Sequence, residues 1–299
     1  PTCRADGSPM TSPTPRRYRA ASGTARRRPR VRRASAGLTP VRSAALLAML
    51  ISAGALYGLA ATSAFGFGRL AVEGTVLTSE AAIREQVGLA PGTNLVGLAT
   101  DPIAARIATI PSVAGVDVSV GLPDVLRVSV RERRVIVVWA IGERRFAVDE
   151  TGLLFARLDG QPPETAAGVP AVSDERAASV GLGIGSTLDP VVLDAATRIG
   201  SLAPGQIGSR ASALRVRITD DRGFTVSSGT GGWLAVFGFY GRSQRTPALI
   251  PGQVQLLAAL LAGREDTIQT VVLADDRDGT FIPKATPRPS ATPRPTPRP

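Results

Sequence analysis

The longest apolar stretch of the chain runs from Ser43 to Gly68, 26 residues without a charge, closed by Arg42 and Arg69. As a helix it would extend roughly 39 Å at 1.5 Å per residue, enough to cross a hydrocarbon core of about 30 Å with some tilt. Beyond it the pattern shortens. Leu70–Gly74 reads as a brief strand, and Thr78 or Ser79 caps a helix that carries Glu80 in its first turn and Ile83 and Val87 on one face. Asp101-Pro102 sets an N-cap before a first-turn proline, Ile103, Ile107 and Ile110 form a stripe, and Pro111 stops the helix. Two alternating runs follow. Val116, Val118 and Val120 oppose Asp117 and Ser119; Leu126, Val128 and Val130 oppose Arg127, Ser129 and Arg131. With Gly121–Asp124 as the turn, they predict an antiparallel hairpin with one buried face. Residues 69–134 therefore predict a β-α-α-β-β unit, two helices over a three-stranded sheet.

From residue 135 to 283 the pattern is β-rich. Strands are predicted at Val135–Ala140, Arg145–Asp149, Leu153–Leu158, Ala213–Thr219, Gly223–Ser227, Trp233–Phe239 and Thr267–Leu273. Helices are predicted over Pro190–Leu202 and over Gln253–Ala262, the latter with Val254, Leu257, Leu260 and Leu261 inward. Residues 160–210 are otherwise loose. The fold class is α+β: a membrane helix, a small α+β domain, and a β-rich mixed domain ending in a helix and a strand. The chain finishes in a T-P-R-P repeat at Thr286, Thr292 and Thr296, predicted as an extended tail over 284–299.

Charge sharpens this division. The chain holds 35 Lys and Arg against 24 Asp and Glu, a net +11. Eleven arginines and one acid lie in residues 1–42, and four basic residues lie in 284–299, so the body from 43 to 283 is net −3. Specific nucleic-acid binding by the body is not expected. The basic residues 1–42, poor in large apolar side chains, predict a disordered cytoplasmic tail that holds the amino end inside and everything after about residue 68 outside. A cleaved signal peptide is the competing reading, with small residues at Thr62-Ser63-Ala64. The apolar run is longer than the usual h-region of about 7–15 residues.

Composition also limits the chemistry. With no His, one Cys (Cys3) and one Lys (Lys284), the chain cannot build a Ser-His-Asp or Cys-His centre, a His-containing zinc site or an intrachain disulfide. Carboxylates are what remains for catalysis. Glu132, between Arg131 and Arg133, reads as a surface charge pair, and Asp149 and Glu150 as strand neighbours pointing to opposite faces, unsuited to a glycosidase pair. Gly181–Gly185 and Gly229–Gly232 lack the flanking strand and helix of a phosphate-binding loop and read as turns. No catalytic residue, cofactor, metal or small-molecule substrate is expected, so binding is the expected mode of action.

The order of elements resembles a POTRA domain, and its place after a single anchor resembles the FtsQ/DivIB family of bacterial cell-division proteins. The stretches that carry this are Leu70–Gly74, Gly88–Leu95, Ile110–Val113, Leu122–Leu126, Val130–Arg133, Trp139 and Phe146–Gly152, then Phe237-Gly238, Gln253-Val254 and Ile268–Leu273. Asp275–Asp278 departs from the family pattern. The resemblance implies a single-pass, non-enzymatic scaffold of the division septum whose last strands recruit FtsB (DivIC) with FtsL. Carried onto this chain, the partner surface comprises Thr267, Gln269, Val271, Leu273, Gly279, Thr280, Phe281 and Ile282, with Phe281 as the aromatic anchor. A POTRA-bearing translocation or envelope-assembly component is the alternative binding reading, and a membrane-anchored carboxylate hydrolase the enzymatic one.

Overall fold

A computed structural model describes residues 39–60, 62–160, 164–241 and 245–285. The chain divides into two compact units within helix α1 (Pro40–Ala60), between Ala55 and Leu56. Helix α1 is long and apolar enough to cross a membrane, and its residues from Pro40 to Gly58 are exposed. It ends eight residues before the predicted limit of the apolar run. The reason lies in Phe65–Gly68, which belong to the folded body: Phe67 N–H donates to Thr93 O at 2.7 Å, Leu95 N–H to Phe65 O at 2.8 Å, and the Phe67 side chain packs on the first core.

That core belongs to a three-stranded sheet in the order β1-β3-β2: β1 (Arg69–Glu73), β2 (Val113–Gly121) and β3 (Val125–Glu132). Strands β2 and β3 pair antiparallel, as the alternation predicted, and β1 lies parallel to β3. Helices α2 (Glu80–Val87) and α3 (Asp101–Ile107) cover one face, burying Ile83, Val87, Ile103 and Ile107 against Val113, Val118, Leu126 and Val128. Ser79 caps α2 by accepting the Ala82 N–H at 3.2 Å, and Gly88 closes it in the left-handed region at φ 59°. In α3 the cap position is Thr100 rather than Asp101, without a side-chain hydrogen bond, and Ile110 falls beyond the helix end.

The rest forms a nine-stranded mixed sheet in the order β12-β11-β10-β9-β8-β7-β4-β5-β6. Its strands are β4 (Val137–Ile141), β5 (Arg144–Val148), β6 (Leu154–Arg157), β7 (Ala171–Asp174), β8 (Arg215–Thr219), β9 (Gly223–Ser227), β10 (Leu234–Gly238), β11 (Ile268–Leu273) and β12 (Gly279–Pro283). Strand β7, in the stretch the sequence left loose, lies parallel to both β4 and β8 and makes the sheet continuous. Helices α4 (Pro190–Gly200) and α5 (Ile250–Leu261) bury Leu193, Ala196, Ile199, Leu257 and Leu261 against Trp139, Phe146, Val226, Phe237 and Val271. A smaller cluster on Val138, Ala147 and Phe155 receives Leu77 from the loop between β1 and α2.

Leu77 is one part of a joint between the two sheets. Val76, Leu77 and Thr78 donate their N–H groups to the Glu132 carboxylate at 2.6–3.0 Å, and Thr78 Oγ1 meets Ser112 Oγ at 2.7 Å. Glu132 is thus a backbone cap, not half of a surface charge pair. Arg133 donates Nε to Pro111 O and Nη1 to Asp149 Oδ2, at 2.8 and 2.7 Å. Asp149 is buried and also accepts from Thr151 and Leu153. Burial opposes its charge, but these hydrogen bonds outweigh burial and hold the carboxyl below the usual aspartate range.

Candidate functional site

Strand β12 ends the nine-stranded sheet. Among the described residues its backbone is paired on the β11 side alone, and Thr280, Phe281, Ile282 and Pro283 are all exposed. The strand returns from β11 through a turn built on Asp275, whose Oδ1 accepts the N–H groups of Arg277 and Asp278 at 2.8 and 2.6 Å. Those two bonds hold the Asp275 carboxyl below its ordinary range. At the far end the Lys284 N–H donates to Thr267 O at 2.7 Å. Opposite residues pair Val271 with Phe281 and Thr270 with Ile282, so neighbours along β12 face opposite sides of the sheet.

Phe281 emerges on the α5 side, 42% exposed, with the Arg264 guanidinium 6.0 Å from its ring centroid. Gly279 lies on the same side, where a Cβ would meet Leu256 and Leu260 of α5 at 3.1 and 3.3 Å. Ile282, 53% exposed, faces the other side, where it helps line a groove of about 410 Å³ with Val236, Thr270, Val272 and Arg245.

The edge owes its position to polar groups behind it. Gln253, fully buried on α5, accepts the Tyr240 hydroxyl at 2.6 Å and donates Nε2 to Phe237 O and Leu273 O at 3.4 Å. Arg245 Nη2 donates to the same two carbonyls at 2.7 and 3.0 Å. Strands β10 and β11 are therefore held together at their ends, and burial pushes the Tyr240 phenol well above its ordinary pKa. Neither Gln253 nor Arg245 stood out as a site residue from the sequence. A glutamine four residues before Leu257, on the inward stripe of an apolar helix, is the signal that marks it. The inward set is Ile250, Gln253, Leu257 and Leu261, with Val254 and Leu260 only half-buried.

The structure separates the eight expected interface residues. Gly279, Thr280, Phe281 and Ile282 sit on the free edge, whereas β11 is paired on both sides, to β10 and to β12. Val271 and Leu273 are buried in the core and are not surface residues; Thr267 and Gln269 are exposed. Among the carboxylates, Asp149 is bound to Arg133 while Glu150 is exposed, so the two do not share a cleft. Gly181–Gly185 is a loop tied to β6, where Gly185 N–H donates to Leu154 O at 2.8 Å, and Gly229–Gly232 is the turn before β10.

Residues 65–133 match the family model "POTRA domain, FtsQ-type". That span covers the three-stranded sheet, its two helices and the joint at Glu132 and Arg133. The chain is also 26% identical over 205 residues to a cell division protein FtsQ of Streptomyces coelicolor, covering 67% of this chain and 76% of that protein. It is 31% identical over 115 residues to the FtsQ of Streptomyces venezuelae and over 127 residues to that of Streptomyces bingchenggensis, spanning 42% and 46% of their lengths. The chain thus carries an FtsQ-type POTRA domain and is similar to FtsQ cell-division proteins over about two thirds of its length. The POTRA domain and the nine-stranded sheet are neighbours across the Glu132–Arg133 joint, and the sheet ends in β12, whose outer edge has no partner strand among the described residues.

Proposed function

We propose that this chain is a non-enzymatic, single-pass membrane scaffold of the bacterial divisome that links early and late division proteins at the septum. Its α1 helix anchors it, the arginine-rich residues 1–42 keep the amino end cytoplasmic, and the POTRA and β-rich parts work outside the membrane. The partners are FtsB/DivIC-like and FtsL-like division proteins. An extended segment of the first adds a strand to β12, where backbone groups supply affinity and Phe281 and Ile282 read the side chains on the two faces. The observation that carries the reading is the exposed outer edge of β12 in a chain similar to FtsQ cell-division proteins. Exposed apolar side chains along an unpaired edge are a liability unless another chain covers them.

The test is the affinity of the full chain, in detergent or nanodiscs, for a purified FtsB-like protein. Phe281→Asp is expected to weaken binding about tenfold or more while leaving the unfolding midpoint unchanged, because the ring is partly exposed and outside the core clusters. Unchanged affinity in Phe281→Asp would remove β12 from the partner surface.

A further inference from the structure

We propose that the end of the POTRA sheet at which the chain enters it rests on the bilayer surface, with Leu122 and Val96 in the headgroup region and Arg127 on the phosphodiester groups of anionic lipids. This rests on the reading of α1 as a membrane anchor and adds a second, folded contact to it.

The starts of β1 and β3 and the end of β2 share one end of the three-stranded sheet, since Arg69 and Gly121 both lie opposite Val125. The incoming chain is clamped there from two sides. On one side Phe67 N–H donates to Thr93 O at 2.7 Å and Gly92 N–H to Phe67 O at 2.8 Å. On the other, Gly68 and Arg69 donate their N–H groups to Asp124 O at 2.9 and 3.1 Å. Beside these two clamps stand Val96, 43% exposed, and Leu122, in the β2–β3 turn and 59% exposed. The Val96 loop is fixed by Asn94 Oδ1, which accepts the Val96 N–H at 2.8 Å.

The charges at this end suit an anionic surface. Residues 61–69, 92–98 and 119–127 carry only Arg69, Asp124 and Arg127 among them. Arg69 and Asp124 are paired at 3.0 Å, so no acid is left unpaired. Arg127 is exposed and lies by Gly121, where a Cβ would meet its Cζ at 3.3 Å. It has no ion-pair partner among the described residues.

The length of the link brings this surface to the lipid. From Arg42, the last charge before the apolar run, to its end at Ala60, α1 rises about 27 Å, just short of a hydrocarbon core of about 30 Å. Residues 61–68 are uncharged, so nothing draws them far into water. Ala60 and Phe65 are separated by at most about 18 Å of extended chain, and the 3-10 turn Ser63–Phe65 shortens that reach. The headgroup layer fills about 5–8 Å of it. An isolated exposed Leu or Val is ordinary on a protein surface. Here the tether raises the effective concentration of lipid at these two side chains, so a contact too weak to hold a free domain on a vesicle suffices. Its effect is to limit the tilt of the POTRA domain on its link, more firmly where the membrane is richer in anionic lipid.

The experiment uses the full chain with Cys3→Ser, reconstituted in vesicles of equal parts phosphatidylglycerol and phosphatidylcholine. An environment-sensitive fluorophore is attached at Leu122→Cys, at Val96→Cys, or at a control site, Val76→Cys, which is exposed near the other end of β3. A quencher carried by the lipids near the headgroups is expected to quench the Leu122 and Val96 probes about threefold or more above the control. Adding Arg127→Glu is expected to lower quenching of the Leu122 probe about twofold or more in these vesicles, and to leave it unchanged in phosphatidylcholine alone. Probes quenched no more than the control, indifference to Arg127→Glu, or an equal fall in phosphatidylcholine overturns the proposal. Flotation of the parent chain with the vesicles after an alkaline wash is measured in parallel. A chain that floats with unquenched probes sinks the surface contact alone, whereas a chain that is washed off sinks the anchor reading itself.

Discussion

Glu132 stands between two arginines in sequence, yet its carboxylate turns to three successive backbone N–H groups of the loop at 76–78. Sequence adjacency suggested a solvent-exposed ion pair, worth little. The loop's unsatisfied donors decide otherwise, and no local pattern records where a loop 55 residues away will lie. Glu132→Ala leaves those donors without acceptors, so a loss of about 1–3 kcal/mol is expected in urea unfolding, while a mutant within error of the parent would return Glu132 to the surface. Asp174 and Glu265 follow the same logic. Asp174 binds Arg176, Ser179 and Trp139; Glu265 accepts from Ser209, Arg210 and Trp233. Burial opposes both charges, but the hydrogen bonds prevail, placing Asp174 below its ordinary range and Glu265 at about 2. A carboxyl whose pKa is depressed on folding contributes stability above its unfolded value, and this is lost as pH falls through the folded value. With Asp149 behaving likewise, the urea midpoint should hold steady at neutral pH and fall from about pH 4.5 towards 2. A midpoint that rises on acidification would contradict these assignments.

Elements with a repeating pattern were legible from the sequence. The two POTRA helices and the β2–β3 hairpin sit where periodicity put them, because each buries a single face, and most of the later strands sit where short apolar runs put them. Strand β7 was not legible: Ala171–Asp174 is four residues long, parallel to both neighbours, and shows no extended alternation. Strand β12 was visible only as part of a family-like surface, since G-T-F-I-P has neither a buried face nor a run long enough to score. Its neighbour β11 was legible as the last strongly apolar strand. The sheet also depends on close approach at Gly223, which opens β9 at φ 68° and would place a Cβ against the Gly238 carbonyl of β10. Gly223→Ala should therefore cost about 2 kcal/mol or more, combining left-handed strain with a backbone clash; stability unchanged in chemical denaturation would show that β9 and β10 can part there.

At the scale of the molecule, the apolar helix and the α+β architecture were readable from hydropathy and periodicity. The coupling between the two sheets was not, because it rests on contacts between distant residues. Leu77 enters the second sheet's smaller cluster and Arg133 reaches Asp149, so the POTRA and β-rich parts are expected to unfold together. Calorimetry on the full chain should show one transition for the folded body, separating into two in the double variant Leu77→Asp and Arg133→Ala. Two transitions in the parent would mean that the joint does not couple the parts. Such coupling suits the proposed scaffold role, in which the proposed docking strand is carried by a body that folds as one. The most direct test of that role is to image a fluorescent fusion of this chain in living cells while the native copy is depleted. The account predicts midcell rings, filamentous cells on depletion, and rescue by the parent but not by Phe281→Asp; diffuse envelope fluorescence with normal division after depletion would contradict it.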